Sequence, residues 1–595
     1  MNMKGISRVK EKKEVMAMAD SEKRRIHKEK DQHIYGRSKA IWGRSFFGVA
    51  NAIFFSSLFV VLLFFKGYAQ EKKDGAVRQP PPLTPEEMEI AKRIFFDRCA
   101  GCHGVTRKGA TGPALLPENR TLLLGTEGLK VFITYGTPRG MPDWGRQGIL
   151  SEKEIDILAR FLQHPPPPPP ELSLAEMKEN WKVYVPPEKR PKEPQHKRNW
   201  QNFFGIVLRD VGKVAIVDGD TKELVNIVNT GFAVHILRAS ATGRYFYSIG
   251  RDGMVTLIDL WANPPDKVAE VKVCNDARSV DVSKYEGKLG NFKDKLAIVG
   301  CYWPPSFVIL DGQTLEPLKI VSTSSYTYDT NEFLREARVA SIVASHHDPL
   351  WVVNVKETGL IWLVDYSDIK NLKISMIEAE RFLHDGGWDL SKRFFIVAAN
   401  MRNKLAVVDT LTKKLVSLIE VGNKPHPGRG ANINHPKFGP IFCTGHLGDN
   451  TIQCIGTDPK KKPEYAWKVV VKVELPGEGG GNLFIKTHPD SPNLWVDRPL
   501  NPELSNKIYV LDKFTFEVKK EIEVPKEYAG ARFVHLEYNK NGDEVWVSVW
   551  GRKDQPTAIL VFDDKTLQLK HEIKGDWVIT PTGHFNVYNT MKDIY

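Results

Sequence analysis

Two patterns of apolar and polar positions divide the chain. Before about residue 165 the apolar residues recur at helical spacing. Thr84 reads as a helix N-cap, Pro85 suits the first helical position, and Glu87 completes a capping box. That helix runs through Phe95-Phe96 to Cys99. A second begins at Ser151 with Glu154 three residues on, and Ile155, Leu158, Ala159 and Leu162 mark its buried face. It stops at His164, because Pro165 to Pro170 follow and predict a polyproline rod, a semi-rigid spacer. After residue 200 the pattern becomes short apolar strands separated by Gly and Asp turns. One unit recurs: three or four apolar residues, an Asp, a turn, then another apolar strand. The Asp falls at 218, 259, 311, 365, 409, 512 and 563, and a degraded copy has Gly456 in its place. Eight copies spaced 41 to 56 residues apart predict an eight-bladed β-propeller, whose central axis gathers loops from every blade. An array of β-sandwiches is the rival, but the copies lack domain-sized linkers between them. The division is residues 1–45 a basic tail, 46–69 an apolar segment, 70–164 a small all-α domain, 165–200 a proline-rich linker and 201–595 an all-β propeller.

Charge and cysteine content narrow the picture. The formal charge is +12, but residues 1–45 hold 13 Lys and Arg against 6 Asp and Glu, so +7 of it belongs to the tail. The chain from 70 onward carries about +4, with no basic stripe and no nucleic-acid module, which excludes a nucleic-acid-binding reading. Phe46 to Phe65 is free of charge for 20 residues, long enough to cross a bilayer, and basic residues precede it. It is either a signal peptide cut after Ala69 or a retained anchor, and both put the rest of the chain outside the cytoplasm. Of six cysteines, Cys274, Cys301, Cys443 and Cys454 stand singly and read as small buried apolar residues, not as a disulfide framework.

Cys99-Ala100-Gly101-Cys102-His103 is a c-type haem attachment pattern. Two thiols one helical turn apart can form thioethers to one porphyrin, and the next residue's imidazole then reaches the iron. A zinc site would need further Cys or His, and this domain's only other histidine is His164. The sixth ligand is expected from Met141, in the turn-rich Gly140-Met141-Pro142-Asp143 stretch, where a thioether would raise the haem potential; His164 is the alternative. The first domain therefore reads as a cytochrome c domain.

In the propeller, His384-Asp385-Gly386-Gly387 and Pro425-His426-Pro427-Gly428 each place a histidine beside turn residues, which suggests loops. His235 follows an apolar run and could ligate iron. Each is equally a hydrogen-bonded loop histidine when read alone. Together with TGFAVHILRASATGRYFYSIGRDG, YWPPSFVILDGQTLEP, FLHDGGWD, PHPGRGAN, LFIKTHP and TPTGHFNVYNT, and with CAGCHGVTRKGATG and YGTPRGMPDWG ahead of them, these segments resemble the cytochrome cd1 nitrite reductases from about residue 84 to the end.

The resemblance implies a dissimilatory reductase that makes nitric oxide and water from nitrite at haem d1, with electrons from a soluble c-type cytochrome or cupredoxin entering through haem c. It implies a periplasmic homodimer. It makes His235 the proximal iron ligand of haem d1 and His384 and His426 the distal pair, both cationic, that holds and protonates the anion. Arg209, Arg251, Arg278 and Arg429 would bind haem d1 carboxylates, and Tyr302 and Phe484 would line its pocket. Departures from the family pattern are His535 where glutamine is expected, Ser324-Ser325-Tyr326 and Arg498-Pro499. A distal tyrosine ligand is in doubt, since Tyr68 precedes the expected cut. A haem d1 biogenesis protein of the same architecture is the alternative, but it is expected to lack the full distal pair. A pure electron carrier would leave the Arg and His segments without a purpose.

Overall fold

The computed structural model describes residues 79–594, apart from 110, 111, 138–140, 147 and 552–554. The basic tail and the apolar segment lie outside the described residues. Among the described residues no helix is long and apolar enough to cross a membrane.

Local capping fixes the first domain. The Thr84 hydroxyl accepts the Glu87 amide at 3.2 Å, and Glu87 accepts the Thr84 amide at 3.0 Å, which starts α1 (Pro85–Ile94). Each such cap contributes about 1 kcal/mol. One wide turn (Phe95–Cys99) leads into the short α2 (Ala100–His103). Then come α3 (Leu122–Tyr135), kinked at Gly125, and α4 (Glu152–Phe161), capped by Ser151 and Glu154 in the same reciprocal way. Ile155, Leu158, Ala159 and Leu162 do face the core, alongside Ala91, Phe95, Leu129 and Ile133.

The prolines after His164 do not hold a spacer away from the propeller. The Pro170 carbonyl accepts Trp303 Nε1 at 2.9 Å and Asn275 Nδ2 at 3.2 Å. Helix α5 (Leu174–Asn180) then buries Met177, and Lys182–Val183 adds an outer strand to blade 2. Leu172, Leu174, Trp181 and Val183 pack on the same core as Val271 and Val280. The apolar residues scattered among the prolines are what pull the segment down.

Eight antiparallel sheets of four or five strands follow, each a blade. The innermost strands of blades 2 to 8 are Val234–Ala239, Asp276–Val282, Val339–Ala344, Leu383–Trp388, Pro425–His435, Ile485–Thr487 and Arg532–Tyr538. Blade 1 takes its innermost strand from the other end of the chain. Pro581–Asn586 pairs with Phe203–Leu208, with Ile206 opposite His584, so the last strand closes the ring. Helix α6 (Val587–Lys592) then seals Val587 and Met591 against blades 1 and 2.

The recurrent Asp shares one job across the blades. It ends the third strand of seven blades and accepts the amide two residues on, and in five of them also the amide three on, as Asp311 does from Gln313 and Thr314 and Asp512 from Phe514 and Thr515. That is a side-chain-capped turn. Gly456 dispenses with it because the longer loop between the third and fourth strands of blade 6 returns Trp467 N–H to the Gly456 carbonyl at 2.9 Å.

The four single cysteines are two disulfides, which corrects their reading as isolated residues. Cys443 and Cys454 are directly opposed on adjacent strands of blade 6, and Cys274 pairs with Cys301 across blade 3. The pairing depends on strand register, which spacing alone does not encode.

Candidate active site

The CxxCH turn is built to hold a metal ligand at a fixed angle. His103 is buried, and its Nδ1 lies 2.8 Å from the Pro113 carbonyl, so Nδ1 carries the proton and Nε2 remains for iron. A Cβ on Gly112 would stand 3.0 Å from His103 Cε1, so the ring is packed from that side as well. Cys99 and Cys102 are in no disulfide, and burial pushes the Cys99 thiol up to about 12. Arg107, unremarked from sequence, lies wholly buried between the rings of Phe95 and Phe161, at 5.0 and 4.1 Å. Its Nε and Nη2 are buried without a hydrogen-bond partner. Its Nη1 donates to the His164 carbonyl at 3.0 Å, so the guanidinium ties the end of the last helix to the domain core. Met141 packs against the same core as Cys99. His164 Nε2 is engaged with the Pro81 carbonyl at 2.6 Å, which counts against it as an iron ligand.

The three propeller histidines share one structural position. His235, His384 and His426 are each the second residue of the innermost strand of a blade: 2, 5 and 6. The expectation that such histidines lie on loops is thus corrected. A residue with left-handed backbone precedes each strand: Ala233 at φ 50°, Phe382 at φ 65° and Lys424 at φ 54°. A register shift follows in each: Val234 to Ile236, Leu383 to Gly386, and His426 to Ala431. His235 and the pair His384-Asp385 are the bulged residues of their strands, whereas His426 is paired with Gly445 and the bulge begins just after it; a bulge re-aims side chains out of the regular pleat.

Two of the rings adjoin, and the third, that of His235, lies within electrostatic reach of His384. His384 and His426 lie with ring centroids 5.3 Å apart. His384 Nδ1 is 2.6 Å from Asp385 Oδ1, and His426 Nδ1 is 2.9 Å from the Leu483 carbonyl and 3.6 Å from Asp385 Oδ2. His235 is surrounded by protein mass yet open to solvent, so it lines a hollow instead of filling a core. Burial, reinforced by the charges of Arg278, Arg251, His384 and Arg209, holds His235 well below its ordinary value. It is therefore the neutral imidazole that a metal requires. Burial also lowers His384, although Asp385 pulls it back up. For His384, burial thus works against the cationic form expected of it. Asp385 would be raised by burial, but the charges of His426 and His384 and a hydrogen bond from His384 hold it at about 2.

Cations ring the same hollow. Arg429 Nη1 and Nη2 are buried without hydrogen-bond partners, the nearest carboxylate oxygen being Asp281 Oδ2 at 3.9 Å. Arg278 Nε, 3.5 Å from Asp276, is likewise unbonded, and its guanidinium stacks 4.5 Å over Tyr302. Arg338 and Lys356, missed from sequence, flank the other approach to Tyr302 at 5.1 and 6.0 Å. Unpaired buried guanidiniums fit a cofactor with several carboxylates, the chemistry haem d1 brings. Arg209 is paired with Asp210 at 2.7 Å. Arg251 is bound to Asp276 at 2.8 Å and also touches the haem c motif: a Cβ on Gly101 would lie 3.2 Å from its Nη2. One arginine thus stands within electrostatic reach of both Cys102 and His235. Around it Trp144 meets Phe232 at 5.0 Å and Lys272 pairs with Asp97 at 2.8 Å, so the two domains meet where the two sites are nearest. Phe484 borders His426 at 6.4 Å and His535 at 4.4 Å.

Both domains match known families. The cytochrome D1 heme domain profile matches residues 198–590, and that of cbb3-type cytochrome c oxidase subunit III matches residues 86–162. A nitrite reductase of Stutzerimonas stutzeri is 52% identical over 542 residues, covering 87% of this chain and 95% of the relative. A dihydro-heme d1 dehydrogenase of Pseudomonas aeruginosa is 26% identical, covering 84% of this chain and 93% of the relative. Among solved structures, dihydro-heme d1 dehydrogenase NirN in complex with DHE superposes with a TM-score of 0.65 at 24% identity, covering 84% of this chain and all of that one, which speaks to the fold alone.

Proposed function

The chain belongs to the cytochrome cd1 nitrite reductase family, and on that premise we propose that it reduces nitrite to nitric oxide and water with the residues assembled above. The reaction takes one electron and two protons per nitrite. The observation that supports the reading most is that His235, His384 and His426 hold the same position in three inner strands, with buried nitrogens of Arg278 and Arg429 left without hydrogen-bond partners.

When bound, haem c and haem d1 supply electron transfer and the iron at which nitrite is reduced. The chain supplies the rest. Cys99 and Cys102 would carry the thioethers to haem c, and His103 Nε2 and Met141 would ligate its iron. His235 would offer a neutral ring nitrogen to the d1 iron, Arg209, Arg251, Arg278 and Arg429 would bind its carboxylates, and Tyr302 and Phe484 would shape the walls.

His384 and His426 act on the anion. Burial keeps His384 low in the resting pocket, but a nitrite oxygen against the rings favours their charged forms. The pair therefore takes up protons as the anion arrives and can return them to the departing oxygen. Asp385, held anionic, keeps His384 oriented and supports its charge.

The distant dehydrogenase shares the architecture, but identity is twice as high to the reductase, and both distal histidines are present. Two disulfides and a covalent haem suit an oxidising compartment, which supports a periplasmic setting. The same reading makes the protein a homodimer served by a soluble c-type cytochrome or cupredoxin. The purified holoprotein should show a red absorption band beside the haem c bands and should convert nitrite to nitric oxide when reduced. His235→Ala should lose the red band and keep haem c. A chain bearing both haems that yields no nitric oxide would refute the reading.

A further inference from the structure

Asp497 ends the second strand of blade 7 (Asn493–Asp497) and is wholly buried, yet it pairs with no cation. Both its oxygens are spent on backbone amides. Oδ1 accepts Leu483 N–H at 3.0 Å and Phe484 N–H at 2.8 Å, and Oδ2 accepts His535 N–H at 2.9 Å. These donors have no strand partner. Leu483 and Phe484 lie before the innermost strand of blade 7, and His535, at φ 57°, is the bulged residue between Val534 and Leu536 in blade 8. Asn482 Nδ2 ties the same loop from the other side, to the Phe484 and Asp497 carbonyls at 2.9 and 2.7 Å.

The loop held this way reaches the reaction centre. The Leu483 carbonyl accepts from His426 Nδ1, so the proton on Nδ1 is committed and Nε2 is the atom left to take up and release a proton. Phe484, next in the chain, packs edge-on to His426 and His535. We propose that Asp497 is a positioning residue for nitrite reduction: by pinning the 482–484 loop it fixes the tautomer and aim of His426 from the neighbouring blade. This deepens the reading of His426 given above and rests on it. Burial pushes the Asp497 carboxyl up to about 7 against the pull of the three amides and His426, which shows how little else in its surroundings compensates its charge.

Asp497→Asn keeps the size and one acceptor but faces an NH₂ group at an amide donor. The loop should then relax and free His426 Nδ1 to turn to Asp385, 3.6 Å away. Turnover at saturating nitrite should fall about 10- to 100-fold, with the Michaelis constant and the haem d1 absorption band little changed. The loss should vanish when His426 is already alanine, because the two act through one proton carrier. Wild-type turnover in Asp497→Asn, or an equal loss with and without His426, would overturn the proposal. If Asp497→Asn does not fold, Asn482→Ala loosens the same loop and must show the same non-additivity; an additive loss there is equally fatal. Should His426→Ala itself turn over normally, it is the proton-carrier reading of His426 that fails.

Discussion

Asp385 shows how one residue decides the chemistry of its neighbours. It contacts His384 at 2.6 Å and His426 at 3.6 Å and is the anion that both imidazoles share. Its carboxyl is depressed from 3.8 to about 2, so it contributes stability that is complete above about pH 4 and is lost as pH falls toward 2; the contribution is at most about 2 kcal/mol. Its larger effect is on function. Asp385→Asn removes the charge and the acceptor that raise His384, so His384 should titrate lower still. The descending limb of the turnover–pH profile should move to lower pH, and turnover at pH 7 should fall about 10-fold or more. Steady-state nitrite reduction across pH 5 to 9 checks this; an unmoved limb would show that His384 does not depend on Asp385.

At the scale of elements, the bulged inner strands are the working parts, and they pack closely. A Cβ on Gly387, in the inner strand of blade 5, would stand 2.0 Å from the Arg429 carbonyl in blade 6. Backbone must move to accept it, and Arg429 is the guanidinium with two unpaired nitrogens in the pocket. Gly387→Ala is therefore expected to weaken haem d1 retention about 10-fold or more, read as loss of the red band on dilution or gel filtration, while haem c stays. The disulfide in blade 6 is a separate brace. The Cys443–Cys454 bridge spans 11 residues, for which chain-entropy arguments give about 3 kcal/mol. The double variant to serine should unfold at lower denaturant by that amount under oxidising conditions, with no change in turnover; equal stability would mean the bridge contributes nothing.

For the whole molecule, the legible part of the sequence was what repeats or sits at fixed spacing. CxxCH gave the haem site, the capping boxes gave α1 and α4, and seven Asp residues with Gly456 counted the blades, because each closes the same kind of turn. What was hidden depended on register. The histidines looked like loop residues because strands broken by bulges carry Gly and Pro, as turns do. The disulfides, Arg107, Arg338, Lys356 and Asp497 became visible only once the packed neighbours of each were in place. Even the resemblance that named the histidines did not show that Arg251 stands between the two haem sites. The central claim is that two imidazoles on neighbouring blades deliver the protons of nitrite reduction. It is tested most directly by the rate of nitric oxide formation from nitrite by His384→Ala and wild-type holoenzyme, matched for haem d1 content. The variant should keep its red band and lose at least about 100-fold in rate. A variant that forms nitric oxide as fast as the wild type would contradict the account.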